Sequence, residues 1–183
     1  MGIALAECAS EMGASVNLVL GPVDIKPRLK DINITNVTSA DSMAEACMSF
    51  FHDCDIAILA AAVADFTPVD VAADKIKKQE GEILLKLKPT TDIAAELGKI
   101  KKPNQIIVGF ALETNNEIEN AQKKLLSKNM DFIVLNSLND KGAGFGYDTN
   151  KITIIDRNNI IDNFELKSKS EVARDIFDKI SKS

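Results

Sequence analysis

Two hydrophobic periods alternate along the chain. Residues 2–12, GIALAECASEM, place apolar side chains at helical spacing, and Gly13 is a natural stop. Residues 15–20, SVNLVL, predict a strand that ends at Gly21-Pro22, with a loop running to about Asp31. A short strand over 32–37 and a helix over 39–52 follow, with Ser39 or Thr38 as N-cap. Residues 55–62, DIAILAAA, form an apolar run between polar neighbours, the pattern of a strand buried on both faces. Residues 83–87 alternate apolar side chains with lysine and predict a half-exposed strand. Beyond them the pattern predicts a helix over 92–100 behind Thr-Thr-Asp, a buried strand over 105–111, a long helix over 116–129 and a third buried strand over 131–135. Segments 151–156 and 160–166 flank Asn158-Asn159 as a hairpin, and 170–181 closes the chain as a helix.

Repeated strand–helix units with near-continuous apolar strands predict an α/β fold, a Rossmann-like and mostly parallel sheet with helices on both faces. The hairpin and the lysine-alternating strand read as a small antiparallel appendage. All of 1–183 reads as one domain. The pattern starts inside a helix, whereas doubly wound folds place a strand and a glycine-rich phosphate turn before it. The first strand is therefore expected to be missing.

Composition narrows the function classes. Of 183 residues, 45% are hydrophobic and 27% charged, a globular balance. A net charge of −5 argues against a duplex nucleic-acid partner. The longest apolar stretch, 56–64, is under half of the roughly 20 residues that span a bilayer, so no membrane partner is expected, and no basic-then-apolar leader is read at the start. Cys8, Cys47 and Cys54 are odd in number and form no CxxC pair, which predicts reduced thiols in a cytoplasm. His52, the only histidine, lies in the polar stretch FHDCD and reads as a helix-end residue.

In parallel sheets ligands gather beyond the carboxyl ends of strands. The residues there are 63–68 after the first buried strand, Glu113-Thr114-Asn115 after the second and Asn136-Ser137 after the third. Asp65 is either a ligand or metal carboxylate or a solvated loop cap. Lys75, Lys77 and Lys78 put three cations within four residues, either a solvated basic loop or an anion site. On the helix over 116–129, Lys123 has Glu119 four residues back, a pair worth roughly 0.2–0.5 kcal/mol. Lys124 and Lys128 have no acidic residue at i−3 or i−4 and stack on each other. Together these features describe a site for a phosphate-rich ligand with room for a divalent ion, which a magnesium-bound nucleoside triphosphate fits, one carboxylate for the metal and lysines as point charges.

The segments AAAVADFTP, KIKK, TTDI, VGFALET, AQKKLLSKNMDFIVLN and GFGYDTN, in that order, resemble phosphopantothenate–cysteine ligase (phosphopantothenoylcysteine synthetase) over essentially the whole chain. In bacteria this is usually the carboxyl-terminal half of the bifunctional coenzyme A biosynthesis flavoprotein. The resemblance implies that a nucleotide, ATP or CTP with CTP favoured, activates the phosphopantothenate carboxylate as an acyl-nucleotidylate with Mg2+, and that the amine of cysteine then forms the amide. It implies Asp65 as a nucleotide and metal contact and Lys75 as the catalytic lysine at the phosphates. It also implies Thr91, Asp92, Ile93 and Ala94 as the segment reading the nucleotide, Phe110 at the base, and Lys124 and Lys128 as further phosphate lysines.

A homodimer formed through roughly 67–90 and 146–166 is implied as well, as is association with a flavin-dependent decarboxylase domain, while no FMN site is expected in this chain. Members of the family carry a first strand, a Gly-Gly-Thr-type turn and an Asn-x-Ser-Ser-Gly segment ahead of the opening helix, and this sequence has none of them. A non-catalytic nucleotide-binding or assembly module is the alternative expectation. An NAD(P)-dependent Rossmann oxidoreductase is the second alternative, disfavoured because no G-x-G-x-x-G occurs.

Overall fold

Alternation at period two sorts the central strands onto two cores. The computed structural model describes residues 1–72, 74–77, 81–113, 115–137 and 148–182. Helix α1 (Gly2–Glu11) turns at Gly13, where φ is +88°, into a parallel pair, β1 (Val16–Leu20) and β2 (Ile32–Asn36). Helix α2 (Ala40–Phe51) starts at a capping box in which the Ser42 amide donates to Ser39 Oγ and the Ser39 amide donates to Ser42 Oγ, both at 3.1 Å. Next come β3 (Ile56–Leu59), β4 (Phe66–Pro68), β5 (Leu87–Pro89), α3 (Ile93–Ile100), β6 (Ile106–Glu113), α4 (Glu117–Ser127) and β7 (Phe132–Ser137). The chain finishes with β8 (Thr149–Asn150), β9 (Ile152–Asp156), β10 (Ile161–Asn163), β11 (Lys167–Ser168) and α5 (Lys169–Ile180). Among the described residues no helix is long and apolar enough to cross a membrane.

The main sheet runs β10-β9-β7-β6-β3, with β3, β6 and β7 parallel and β9 and β10 added antiparallel. Ile107, Ala111, Ile133, Leu135 and Ile155 point to one face and pack with residues of α2, α3 and α4. Val108, Phe132, Val134, Ile152 and Ile154 point to the other and pack with α1 and α5. Apolar residues on both faces explain why these strands read as continuous hydrophobic runs.

Three expectations shift. The predicted strand over 55–62 pairs only over Ile56–Leu59, and Ala60 onward leaves the sheet toward the rim. The lysine-alternating strand moves downstream. Leu87–Pro89 pairs antiparallel with Phe66–Pro68, while Ile83, Leu84 and Leu85 stay exposed. Proline at 68 and 89 lacks an N–H and keeps this ribbon to a single short ladder. The hairpin forms around Asn158-Asn159, with Asn159 at φ +63°, yet it is not part of an appendage. Strand β9 pairs with β7 because Ile152, Ile154 and Ile155 are almost completely buried there. Of the segments expected in the appendage, the ribbon β4–β5 stands outside the main sheet, and 146–147 lie outside the described residues. The β1–β2 pair shares no ladder with the main sheet among the described residues, and β1 stays half-buried or exposed along its length.

Candidate functional site

The strand-end segment after β3 is stitched to the entry of α3. Thr90 donates its amide to the Asp65 carbonyl at 2.9 Å and its hydroxyl to the Ala64 carbonyl at 2.6 Å. Two separate predicted segments, Asp65 and Thr91–Ala94, thereby become neighbours. Asp65 itself is exposed, and Thr91 is exposed beside it. Asp92 caps α3, accepting from the Ala95 amide at 3.1 Å. Ile93 is buried in the core and Ala94 packs against it, so these two act through their backbone at the helix start.

From the end of α4 comes Lys128, whose ammonium lies 2.8 Å from Asp92 Oδ2, with the lysine side chain 29% exposed. This is the carboxylate that the helix spacing could not supply, since it comes from α3. Burial alone would raise the Asp92 pKa. Hydrogen bonds from Lys128 and from the Ala95 and Ala94 amides outweigh it, so the carboxyl sits below its ordinary value of 3.8. Lys124 is exposed one turn earlier on α4. Lys123 pairs with Glu119 at 2.7 Å, as the spacing predicts. The result is a cationic patch set against the N-terminus of a helix, with one carboxylate shared between them.

Two predicted residues do not join this group. Lys75 is exposed on the 74–77 segment, and among the described residues no ion pair or hydrogen bond ties it to α3 or α4. Phe110 lies partly buried with the α1–α5 core, on the sheet face opposite α3 and α4. Thr114, Lys78 and residues 144–147 of the expected motifs lie outside the described residues. His52 is the exposed C-cap residue of α2, its ring 2.9 Å from Asp53. The thiols of Cys8, Cys47 and Cys54 are free and pushed up by burial. Among the described residues no three His, Cys, Asp or Glu group as a metal site.

The strand pattern and charge count missed three residues that shape the rim. Thr90 joins Asp65 to α3, while Gly98 and Asn129 join the ends of α3 and α4, with Asn129 Nδ2 donating to the Gly98 carbonyl at 2.7 Å. A helix-interior glycine and an asparagine just past a helix end were the available signals. A cavity of about 290 Å³ opens elsewhere, between α1 and α5, beside Glu7, Arg28, Lys167 and Arg174. Its cations are already paired, Arg28 with Glu7, Lys167 with Asp175 and Arg174 with Glu11, so it leaves little free charge for a phosphate.

Across residues 1–183 the chain matches the family described as "DNA/pantothenate metabolism flavoprotein C-terminal domain". It is 63% identical over 180 residues to a "Cysteine/Cysteine sulfinic acid decarboxylase" of an unknown prokaryotic organism, covering 98% of this chain and 50% of that one. It is 45% identical over 181 residues to the "Coenzyme A biosynthesis bifunctional protein CoaBC" of Bacillus subtilis (strain 168), covering 99% of this chain and 44% of that one. The chain thus spans about half the length of the curated relatives it matches. Among solved structures it resembles the C-terminal domain of CoaBC with a TM-score of 0.81 and 35% identity, covering 98% of this chain and 79% of the other. It also shares its fold with a Cab2 variant in complex with phosphopantothenate-cysteine, at a TM-score of 0.74 and 16% identity, covering 99% of this chain and 77% of that one.

Proposed function

The chain belongs to the DNA/pantothenate metabolism flavoprotein C-terminal domain family, and from that premise we propose that residues 1–183 act as a phosphopantothenate–cysteine ligase domain of coenzyme A biosynthesis that uses CTP. The observation that carries this reading is the Lys128–Asp92 pair, 2.8 Å apart at the start of α3. It sets a cation beside a helix N-terminus, a combination that suits a triphosphate and so supports the reading.

On this reading a carboxylate oxygen of phosphopantothenate attacks the α-phosphorus, the α–β phosphoanhydride bond breaks, and pyrophosphate leaves. The amine of cysteine then attacks the acyl carbon, loses a proton and expels the nucleoside monophosphate. The charge that develops on the phosphate oxygens is met by Lys75, Lys124 and Lys128. Lys128 is held at the α3 end in advance, whereas Lys75 is exposed and closes on the phosphates once they arrive. The Thr91–Ala94 segment at the start of α3 holds the nucleotide, whereas Phe110, on the opposite face of the sheet, is given no contact with it. Asp65, a single exposed carboxylate, suits magnesium, an ion that keeps several waters and takes its other ligands from phosphates. When bound, the ion neutralises triphosphate charge.

A homodimer fits the ribbon β4–β5. Phe66 is 59% exposed, Leu84 94% and Leu85 63%, an apolar surface that a second copy would cover. Monomers in sedimentation at micromolar concentration would remove this part. A flavin-dependent decarboxylase domain is the expected companion. The relative named as a decarboxylase offers a second reading, that this chain serves such an enzyme as a nucleotide-binding or assembly module.

Melting curves with magnesium and CTP, ATP, NAD, cysteine or no ligand separate these readings. A shift with CTP, together with pyrophosphate release when phosphopantothenate is added, supports the ligase. A CTP shift without pyrophosphate release supports the module. A shift with NAD alone defeats both.

A further inference from the structure

Helix α4 ends in a Schellman arrangement. The Met130 amide donates to the Leu125 carbonyl at 3.0 Å, and the Asn129 amide donates to the Leu126 carbonyl at 3.2 Å. Asn129 occupies the left-handed position, with φ +52°, where glycine is the usual choice. A glycine there would close the helix equally well, so the asparagine side chain has another task. Its Nδ2 donates to the Gly98 carbonyl at 2.7 Å, and its Oδ1 accepts from Arg157 Nη2.

Gly98 is the matching surface. A Cβ built there would clash with the Lys128 carbonyl oxygen and lie 2.9 Å from its carbon. The backbone of Lys128 is therefore seated directly on α3 at Gly98, while its ammonium reaches Asp92 at the other end of the same helix. Six residues of helix separate those points, about 9 Å at 1.5 Å per residue. That length exceeds the reach of a lysine side chain alone, so the Asp92 carboxylate has to meet the ammonium part-way, which leaves little slack for a misplaced backbone.

We infer that Asn129, closing on Gly98, is a positioning residue for Lys128, fixing the end of α4 so that the lysine ammonium is delivered to the α3 N-terminus where an anionic phosphate is to bind. The inference rests on the proposed nucleotide site. It assigns Asn129 no contact with the nucleotide. Its effect passes through the lysine, which would otherwise spread its charge over many rotamers.

The test is a double-mutant cycle read by calorimetric titration with Mg·CTP, with Mg·ATP as a second probe. Asn129→Gly keeps the left-handed backbone and removes the clamp on Gly98 together with the bond from Arg157. Asn129→Asp keeps the size and cannot donate to Gly98. Lys128→Gln removes the charge. Asn129→Gly is expected to weaken Mg·CTP binding by about threefold to tenfold, and Asn129→Asp to weaken it as well. Lys128→Gln is expected to weaken it at least as much as Asn129→Gly, and the double variant no further than Lys128→Gln. A residue that only stabilised the fold would lower the melting temperature without this convergence. Unchanged affinity in Asn129→Gly, or losses that multiply in the double variant, overturn the positioning role while the nucleotide site stands. Unchanged affinity in Lys128→Gln, or no binding of either nucleotide by the unaltered chain, overturns the nucleotide site and the inference with it.

Discussion

Replacing Gly98 by alanine sets two effects against each other. Gly98 lies inside α3, and an alanine in a helix interior is ordinarily worth about 0.5–1 kcal/mol of added stability. Tertiary packing opposes this gain. The new methyl would sit 2.9 Å from the Lys128 carbonyl carbon and 3.3 Å from Asn129 Cβ, and its oxygen contact would be closer still. The obstacle is backbone, which no rotamer change can clear. Helix α3 must retreat from α4 by about an ångström, an overpacking cost of about 1–3 kcal/mol. The retreat also stretches the 2.7 Å bond from Asn129 to the Gly98 carbonyl, worth about 0.5–1.5 kcal/mol. The net expectation is a destabilisation of about 1–3 kcal/mol. Urea unfolding followed by circular dichroism measures it as a lower midpoint at constant slope. A midpoint that is unchanged or raised would refute the close approach of the two helices.

Other expectations follow from the same packing. Asp131 accepts the Ile107 amide at 2.7 Å and pairs with Lys101, whose side chain is only 8% exposed. Asp131→Ala should cost about 3 kcal/mol or more by denaturation, because it strands a buried ammonium; a loss below about 1 kcal/mol would mean that the pair is solvated. Glu7 is held below its ordinary carboxyl value of 4.5, first by the side-chain hydrogen bond from Arg28 and then by the Arg28 amide. Its stabilisation is full above pH 4.5 and fades as pH falls through the lower folded-state value. Glu7→Gln should therefore flatten the acid limb of a melting-temperature profile, and an unaltered limb would exclude this carboxylate as a source of acid sensitivity. Lys75 is exposed and makes no ion pair among the described residues, so Lys75→Gln should leave the ligand-free melting temperature within about 1 °C while reducing the shift produced by Mg·CTP. An undiminished shift would take Lys75 out of the nucleotide site.

The central strands were legible because burial on two faces forces continuous apolar runs, as in 105–111 and 131–135. The start of α3 was legible too, since a Thr-Thr-Asp entry is a local hydrogen-bonding preference that Asp92 satisfies with Ala95. The ribbon was not. Alternation over 83–87 names a strand but not its partner, and the pairing that formed depends on Asp65 and Thr90 meeting across 24 intervening positions. The hairpin was placed correctly along the chain and wrongly in space. Its isoleucines specify burial, and two available surfaces could have provided it.

Local pattern alone established an α/β sheet, the order of its helices and main-sheet strands, and a set of lysines without acidic neighbours on their own helix. These properties depend on side chains within a few residues of each other, which one-dimensional spacing records. Tertiary folding decided that Lys128 has a carboxylate after all, that it reaches Asp92 along α3, and that Phe110 belongs to the opposite face. Those outcomes depend on which helix ends come together, and Gly98 and Asn129 set that contact through a backbone approach that no hydrophobic period encodes.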